Sequence, residues 1–248
     1  MPPAATFPRR VQQGNNNMII IRNEKLIKRN GRIGKWMSLG ALVVLAVAIF
    51  LSVKYPQLFL YSVVAMIVGF LMTQVGLSFS NRWGRSPRPD EQLDAALKGL
   101  PADTAIYHYV AAVPHVLVGP MGLWVLLPYH QRGRIAFEKN RWRLSGGGFM
   151  QSYMRIFGQE GIGRPELEAA YQMESLTKQL AQRMGEGIAP PVNAALVFSS
   201  EDIEIDGTES QLPALPIKKL KDFMRQRMRE STAPAPLIRQ VKEALPQA

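Results

Sequence analysis

The chain has 248 residues and a mean hydropathy near zero, which suits one domain of ordinary size with extra elements. That balance is too apolar for a disordered polymer and too polar for a polytopic channel. The absence of cysteine excludes a disulfide scaffold, thiolate zinc sites, iron–sulfur clusters and thiol catalysis. The formal charge of +11 is confined to residues 1–88, where twelve Lys and Arg meet the single acid Glu24. From residue 89 onward 18 basic residues balance 18 acidic ones. A duplex-binding module carries its basic residues on its recognition face. Here the excess flanks apolar runs, so it reads as a sign of topology.

In chain order, residues 1–17 are rich in Pro and Asn and are expected to be disordered. Residues 18–30 mix an apolar run with Lys25, Lys28 and Arg29. They fit either a segment lying on an anionic inner leaflet or a plain juxtamembrane linker. Residues 37–53 and 57–79 contain no Asp, Glu, Lys or Arg. At about 1.5 Å rise per residue each approaches or reaches the length that crosses hydrocarbon, and Ile33 and Trp36 extend the first. Lys54-Tyr55-Pro56 is a hairpin turn, with Pro56 breaking the helix. Eight basic residues precede the first run, three follow the second between 81 and 89, and only Lys54 lies in the turn. The positive-inside rule therefore places both termini in the cytoplasm of a plasma-membrane protein, with Trp36 and Trp83 at one interface. The organisation expected is a basic segment 1–35, a transmembrane hairpin 36–80, a linker 81–89 stiffened by two prolines, an α/β domain 90–230 and a tail 231–248.

Within 90–230 the pattern alternates. Residues 90–100 set Leu93, Ala96, Leu97 and Leu100 on one helical face. Residues 104–111, 115–118 and 122–127 are Val-, Leu- and aromatic-rich and punctuated by Pro and Gly, so they read as adjacent strands. Residues 134–137 and 141–144 form a hairpin, and 145–148 a glycine loop. Residues 165–184 are a helix opened by Pro165, stopped by Gly185, and apolar along Ala169, Met173, Leu176, Leu180 and Met184. Residues 192–199 are a buried strand. Residues 216–229 are a helix with Ile217, Leu220, Met224 and Met228 aligned, and 237–245 add a short tail helix.

The stretch Val113-Pro114-His115-Val116-Leu117-Val118-Gly119-Pro120-Met121-Gly122, with the hydrophobic strand that follows it, resembles the NERD (nuclease-related) domain of the restriction-endonuclease-like superfamily. The shared frame is His-x-x-x-Gly-Pro-x-Gly, and the resemblance runs from about residue 90 to about 229, including the Pro165 helix and the strand VNAALVFS. It implies a central mixed sheet flanked by helices. It also implies a metal-dependent nuclease centre, because carboxylates hold Mg²⁺ and a lysine assists the attacking water. At the positions the family uses, this chain has Pro114 for the strand aspartate and Leu127-Pro128-Tyr129 for Glu-x-Lys. The resemblance thus implies a nuclease-like domain whose catalytic positions are vacant, with no metal and no cofactor.

The chemistry left over is sparse. A relocated metal centre would draw on Glu91, Glu168 and His115. A phosphate-binding face would use the basic run Lys218, Lys219, Lys221 and Arg225. His108, His115 and His130 are the only histidines and read as structural. Residues 158–163 are glycine-rich but lack the Lys-Ser/Thr of a phosphate-binding loop, and no strand leads into them. They read as a flexible loop. Trp124 and Trp142 lie in strand patterns and read as core. The expectation is a membrane-anchored binding or assembly module with the lipid bilayer and an unidentified protein as partners. A nucleic-acid tether and a nuclease with a relocated centre are the alternatives.

Overall fold

The structure is a computed structural model; it describes residues 18–131, 133–138, 141–145, 162–185, 189–200, 203–207, 210–230 and 232–246. The N-terminal stretch 1–17 lies outside the described residues, as do most of the glycine-rich stretches at 145–148 and 158–163. Two compact units divide the chain, a helical hairpin and an α/β domain.

The hairpin consists of α1 (Glu24–Lys54), a short 3-10 turn (Pro56–Leu58), α2 (Phe59–Phe79) and a closing π-turn (Ser80–Gly84). Asn23 caps α1, its Oδ1 accepting from the Leu26 N–H at 3.0 Å. Pro56 ends the run as its ring requires. The two helices meet through small residues: Gly34, Ala41 and Ala48 of α1 and Ser62, Gly69 and Gly76 of α2 are buried. A Cβ at Gly76 would stand 2.6 Å from Ser38 Oγ, and one at Gly34 2.8 Å from the Ser80 nitrogen. Large side chains point the other way, with Leu42, Val53, Leu60 and Phe70 all exposed. A hairpin folded by water would put its large residues inside. Small inside and large outside is the packing of helices in lipid, where close backbone approach replaces the hydrophobic drive. The hydroxyls of Ser62 and Thr73 donate to the carbonyls of Leu58 and Gly69 and so bring no unsatisfied group. Both helices are long and apolar enough to cross a membrane.

The domain is a six-stranded mixed sheet covered on both faces. Its order is β1 (Ile19–Arg22), β2 (Ala105–His108), β3 (His115–Gly119), β4 (Gly122–Tyr129), β7 (Val192–Phe198) and β9 (Ala214–Pro216). β2, β3 and β4 form an antiparallel meander; β1 is parallel to β2, and β7 and β9 continue parallel beyond β4. The period of two sorts the core into layers. Tyr107, Val116, Val125 and Leu196 face one side, with Ala169, Leu176 and Leu180 of α4 (Pro165–Met184) and Ile238 and Val241 of α6 (Ala235–Ala244). Ile106, Leu117, Trp124 and Val197 face the other, with Leu93 and Leu97 of α3 (Pro89–Leu97) and Leu220 and Met224 of α5 (Leu220–Glu230). A second sheet has the order β6 (Arg141–Ser145), β5 (Gly133–Glu138), β8 (Ile203–Asp206).

Four expectations are corrected here. Residues 19–22 are neither a leaflet segment nor a linker, because β1 pairs with β2 from Ile19↔Ala105 to Arg22↔His108. The domain therefore begins before the hairpin that interrupts it. Within the segment expected as a tail, residues 235–244 form a helix, and Ile238, Val241 and Leu245 are core residues. β4 runs past Leu127 to Tyr129: beyond Val125 its pairing to β3 has ended, so Pro128, which has no N–H, costs no ladder bond there. On α4 the buried positions are Pro165, Ala169, Gln172, Leu176 and Leu180, and Met173 is only half-buried.

Candidate functional site

The positions that the nuclease resemblance singles out fall at one end of β3 and β4. The register Val116↔Val125 and Leu117↔Trp124, continued by two residues, sets Pro114 opposite Leu127, with Tyr129 two residues on along the same face of β4. Pro114 precedes β3, its carbonyl accepting from the Tyr109 N–H at 2.7 Å. Leu127 is buried among Val125, Leu196 and Phe198 on the α4 side of the sheet. Tyr129 is stacked on Phe198 with ring centroids 5.5 Å apart. Its hydroxyl donates to Glu168 Oε2 at 2.7 Å, and Gln172 Nε2 donates to Glu168 Oε1 at 3.1 Å. Burial first, and then the adjacent Glu168 carboxylate, push the Tyr129 phenol well above its ordinary value. At neutral pH it is a neutral donor.

The chemistry follows from these contacts. Both Glu168 oxygens accept hydrogen bonds from within the domain. Proline offers no ligand and leucine no charge, so the pieces that activate water and stabilise a pentavalent phosphate are missing at these positions.

The other candidates are held apart. Glu91 accepts from Ser86 Oγ at 2.8 Å and from the Arg88 nitrogen at 2.9 Å, and it pairs with the Arg88 guanidinium. His115 belongs to a different cluster. Thus Glu91, Glu168 and His115 each answer to separate partners, and among the described residues no three His, Asp or Glu side chains gather as metal ligands would. In the basic run, Lys221 and Arg225 donate to the carbonyls of Lys98 and Gly99 at 3.4 and 3.2 Å. They close the C-terminal end of α3, where cations complement the helix dipole, and are not held out for phosphate. Lys218 and Lys219 are exposed.

The strand pattern sets His108 and His115 on neighbouring strands, as the structure bears out, but gives no hint that Arg22 and Asp94 join them in a row of ionisable side chains. Arg22, His108 and His115 are register partners and share a face. His108 Nε2 lies 2.9 Å from Asp94 Oδ1 on α3, and its Nδ1 lies 2.8 Å from His115 Nδ1. Arg22 donates to the other Asp94 oxygen. Only one proton fits between the two Nδ1 atoms, so one imidazole donates there and the other accepts. Both imidazoles are buried, and Tyr109, held at a φ of 60°, packs edge-on to His115. With no opening to solvent at either ring, the row is a lock that ties β1 and α3 to the sheet.

One cavity of about 990 Å³ opens on the opposite end of β4, lined by Leu123, Phe137, Met173, Leu212 and Ile238 among others. Glu166, Glu230, Ser210 and Thr232 also line it, and among the described residues no histidine does; Arg227 is paired with Glu230 at 2.8 Å. Comparisons with known protein families, with curated proteins and with solved structures find no match to this chain.

Proposed function

We propose that the chain is a two-pass membrane protein with both termini in the cytoplasm, presenting a NERD-like domain that binds or assembles partners and does not hydrolyse nucleic acid. The observation that carries this reading is the filling of the three family positions: Pro114, a Leu127 sealed in the core, and a Tyr129 phenol bound to Glu168. The order of elements after the His-x-x-x-Gly-Pro-x-Gly frame supports it. β3 and β4, the Pro165 helix and the parallel strand β7 follow one another as the resemblance leads one to expect. The inside-out packing of the hairpin supports the anchor.

The full chain, purified in detergent, should leave single- and double-stranded DNA and RNA intact with Mg²⁺ or Mn²⁺. Metal-dependent cleavage that disappears in Glu168→Ala or Glu91→Ala would overturn the reading in favour of a relocated centre. The same preparation assayed for nucleic-acid binding across a salt series distinguishes the tether. Binding that falls steeply with salt and is lost in Lys218→Gln/Lys219→Gln would replace protein assembly by nucleic-acid capture. For topology, Gln57→Cys introduces the only thiol. It should react with an impermeant reagent in intact cells, and labelling only after lysis would invert the orientation.

A further inference from the structure

α1 begins thirteen residues before the first apolar run, so about 20 Å of rigid helix projects from the membrane end of the hairpin. Along this projection Lys25, Arg29, Arg32 and Trp36 recur every three or four residues and share one face. The opposite face is fixed against the return of the chain. A Cβ at Gly31 would stand 3.0 Å from the Trp83 carbonyl oxygen, and one at Gly34 2.8 Å from the Ser80 nitrogen. This contact sets the rotation of α1 and turns the basic stripe outward. A groove of about 540 Å³ runs along the stripe, with Ile33 and Met37 also in its lining. Lys28, on its margin, is paired with Glu24 at 3.5 Å. Among the described residues no acid lies within ion-pair reach of Lys25, Arg29 or Arg32.

We infer that this groove is a binding site for the phosphate headgroup of an anionic phospholipid, an inference that rests on the membrane reading above. With Trp36 at the headgroup level, Arg32 and Arg29 stand about 6 and 10 Å farther from the hydrocarbon, within reach of lipid phosphates. Two guanidiniums one turn apart can chelate a phosphate with paired N–H donors, and the planar forks suit phosphate better than ammonium groups do. Met37, one residue deeper than Trp36, is the part of the lining nearest the hydrocarbon, where the glycerol of the same lipid would rest. Retention of topology requires only a count of positive charges. A one-sided stripe with an indole at its membrane end and a groove along it is a more specific arrangement.

The test uses the full chain. Flotation with phosphatidylcholine vesicles first establishes insertion; failure to float would sink the membrane reading itself. Native mass spectrometry of the detergent-solubilised protein, titrated with phosphatidylglycerol and with phosphatidylcholine, then reads headgroup preference. The wild type should retain phosphatidylglycerol in preference, and Arg29→Gln/Arg32→Gln should weaken that retention by about tenfold or more. Arg82→Gln/Arg85→Gln removes the same charge from the other cytoplasmic flank and should leave it intact. Equal loss in both double variants would show diffuse attraction and overturn the site, as would a wild type that floats but shows no preference. Displacement of the lipid by millimolar inorganic phosphate would assign the groove to a free anion instead.

Discussion

Tyr129 stands where the nuclease resemblance would place a lysine, and its hydroxyl donates to Glu168. Replacing it with Phe keeps the stacking on Phe198 and removes the hydrogen bond to Glu168. The expected loss is about 1–2 kcal/mol, measured by thermal unfolding in detergent. The same variant has a pH signature. Below the ordinary phenol value of 10.0 the folded and unfolded chains are both protonated at this residue, so it contributes no slope. Above that value the unfolded chain ionises and the folded one resists, so stability falls as pH rises. Tyr129→Phe should flatten that alkaline limb; an unchanged limb would mean that the phenol is not held by Glu168. Asp94 invites a harsher test. It is nearly buried and answers both Arg22 and His108, so Asp94→Ala leaves an arginine and an imidazole without their common acceptor. A loss of about 3 kcal/mol or more is expected from removing one side of such a network. His115→Gln, which retains a side-chain amide donor, should cost less.

At the scale of elements, the hairpin predicts its own point of failure. Gly76→Val would drive a branched side chain into Ser38, whose oxygen and backbone nitrogen stand 2.6 and 2.9 Å from the Cβ position. Separation of α1 and α2 at that point should cost about 1–3 kcal/mol. Leu71→Val on the exposed face of α2 should be neutral in the same detergent melt. Both helices were legible in the sequence because an uncharged run of such length has few other uses. β3 and β4 were legible from Val and Leu runs bracketed by Pro and Gly. The failures have physical reasons. β1 is four residues long and abuts a basic stretch, and its partner β2 lies some eighty residues away, so no local pattern announces the pairing. α6 was legible as an amphipathic helix, while the core its face enters, next to α4, was not. Met173 and Gln172 differ by one step around α4, finer than a count of apolar spacings resolves. The Arg22–Asp94–His108–His115 row has no motif at all; only strand register and a neighbouring helix assemble it. Nothing in the sequence announced the Tyr129–Glu168 bond, which needs β4 and α4 to meet.

For the molecule as a whole, the decisive feature is that the α/β domain is discontinuous, with the hairpin inserted between its first strand and the rest. Residues 89–248 alone would lack β1 and with it the buried Met18 and Ile21, leaving the β2 edge open. Such a fragment should aggregate or melt early. Joining residues 18–22 to residue 89 through a flexible Gly/Ser linker, in place of the hairpin, should restore a cooperative unfolding transition. Equal stability of the two proteins would show β1 to be dispensable. Synthesis imposes a further consequence. Domains fold as units once their parts have emerged from the ribosome. Here β1 is made before both apolar helices and stays without its partner until β2 has been made. The sheet can close only after the whole hairpin has been made, so a paired β1–β2 edge is itself a record that both helices preceded it.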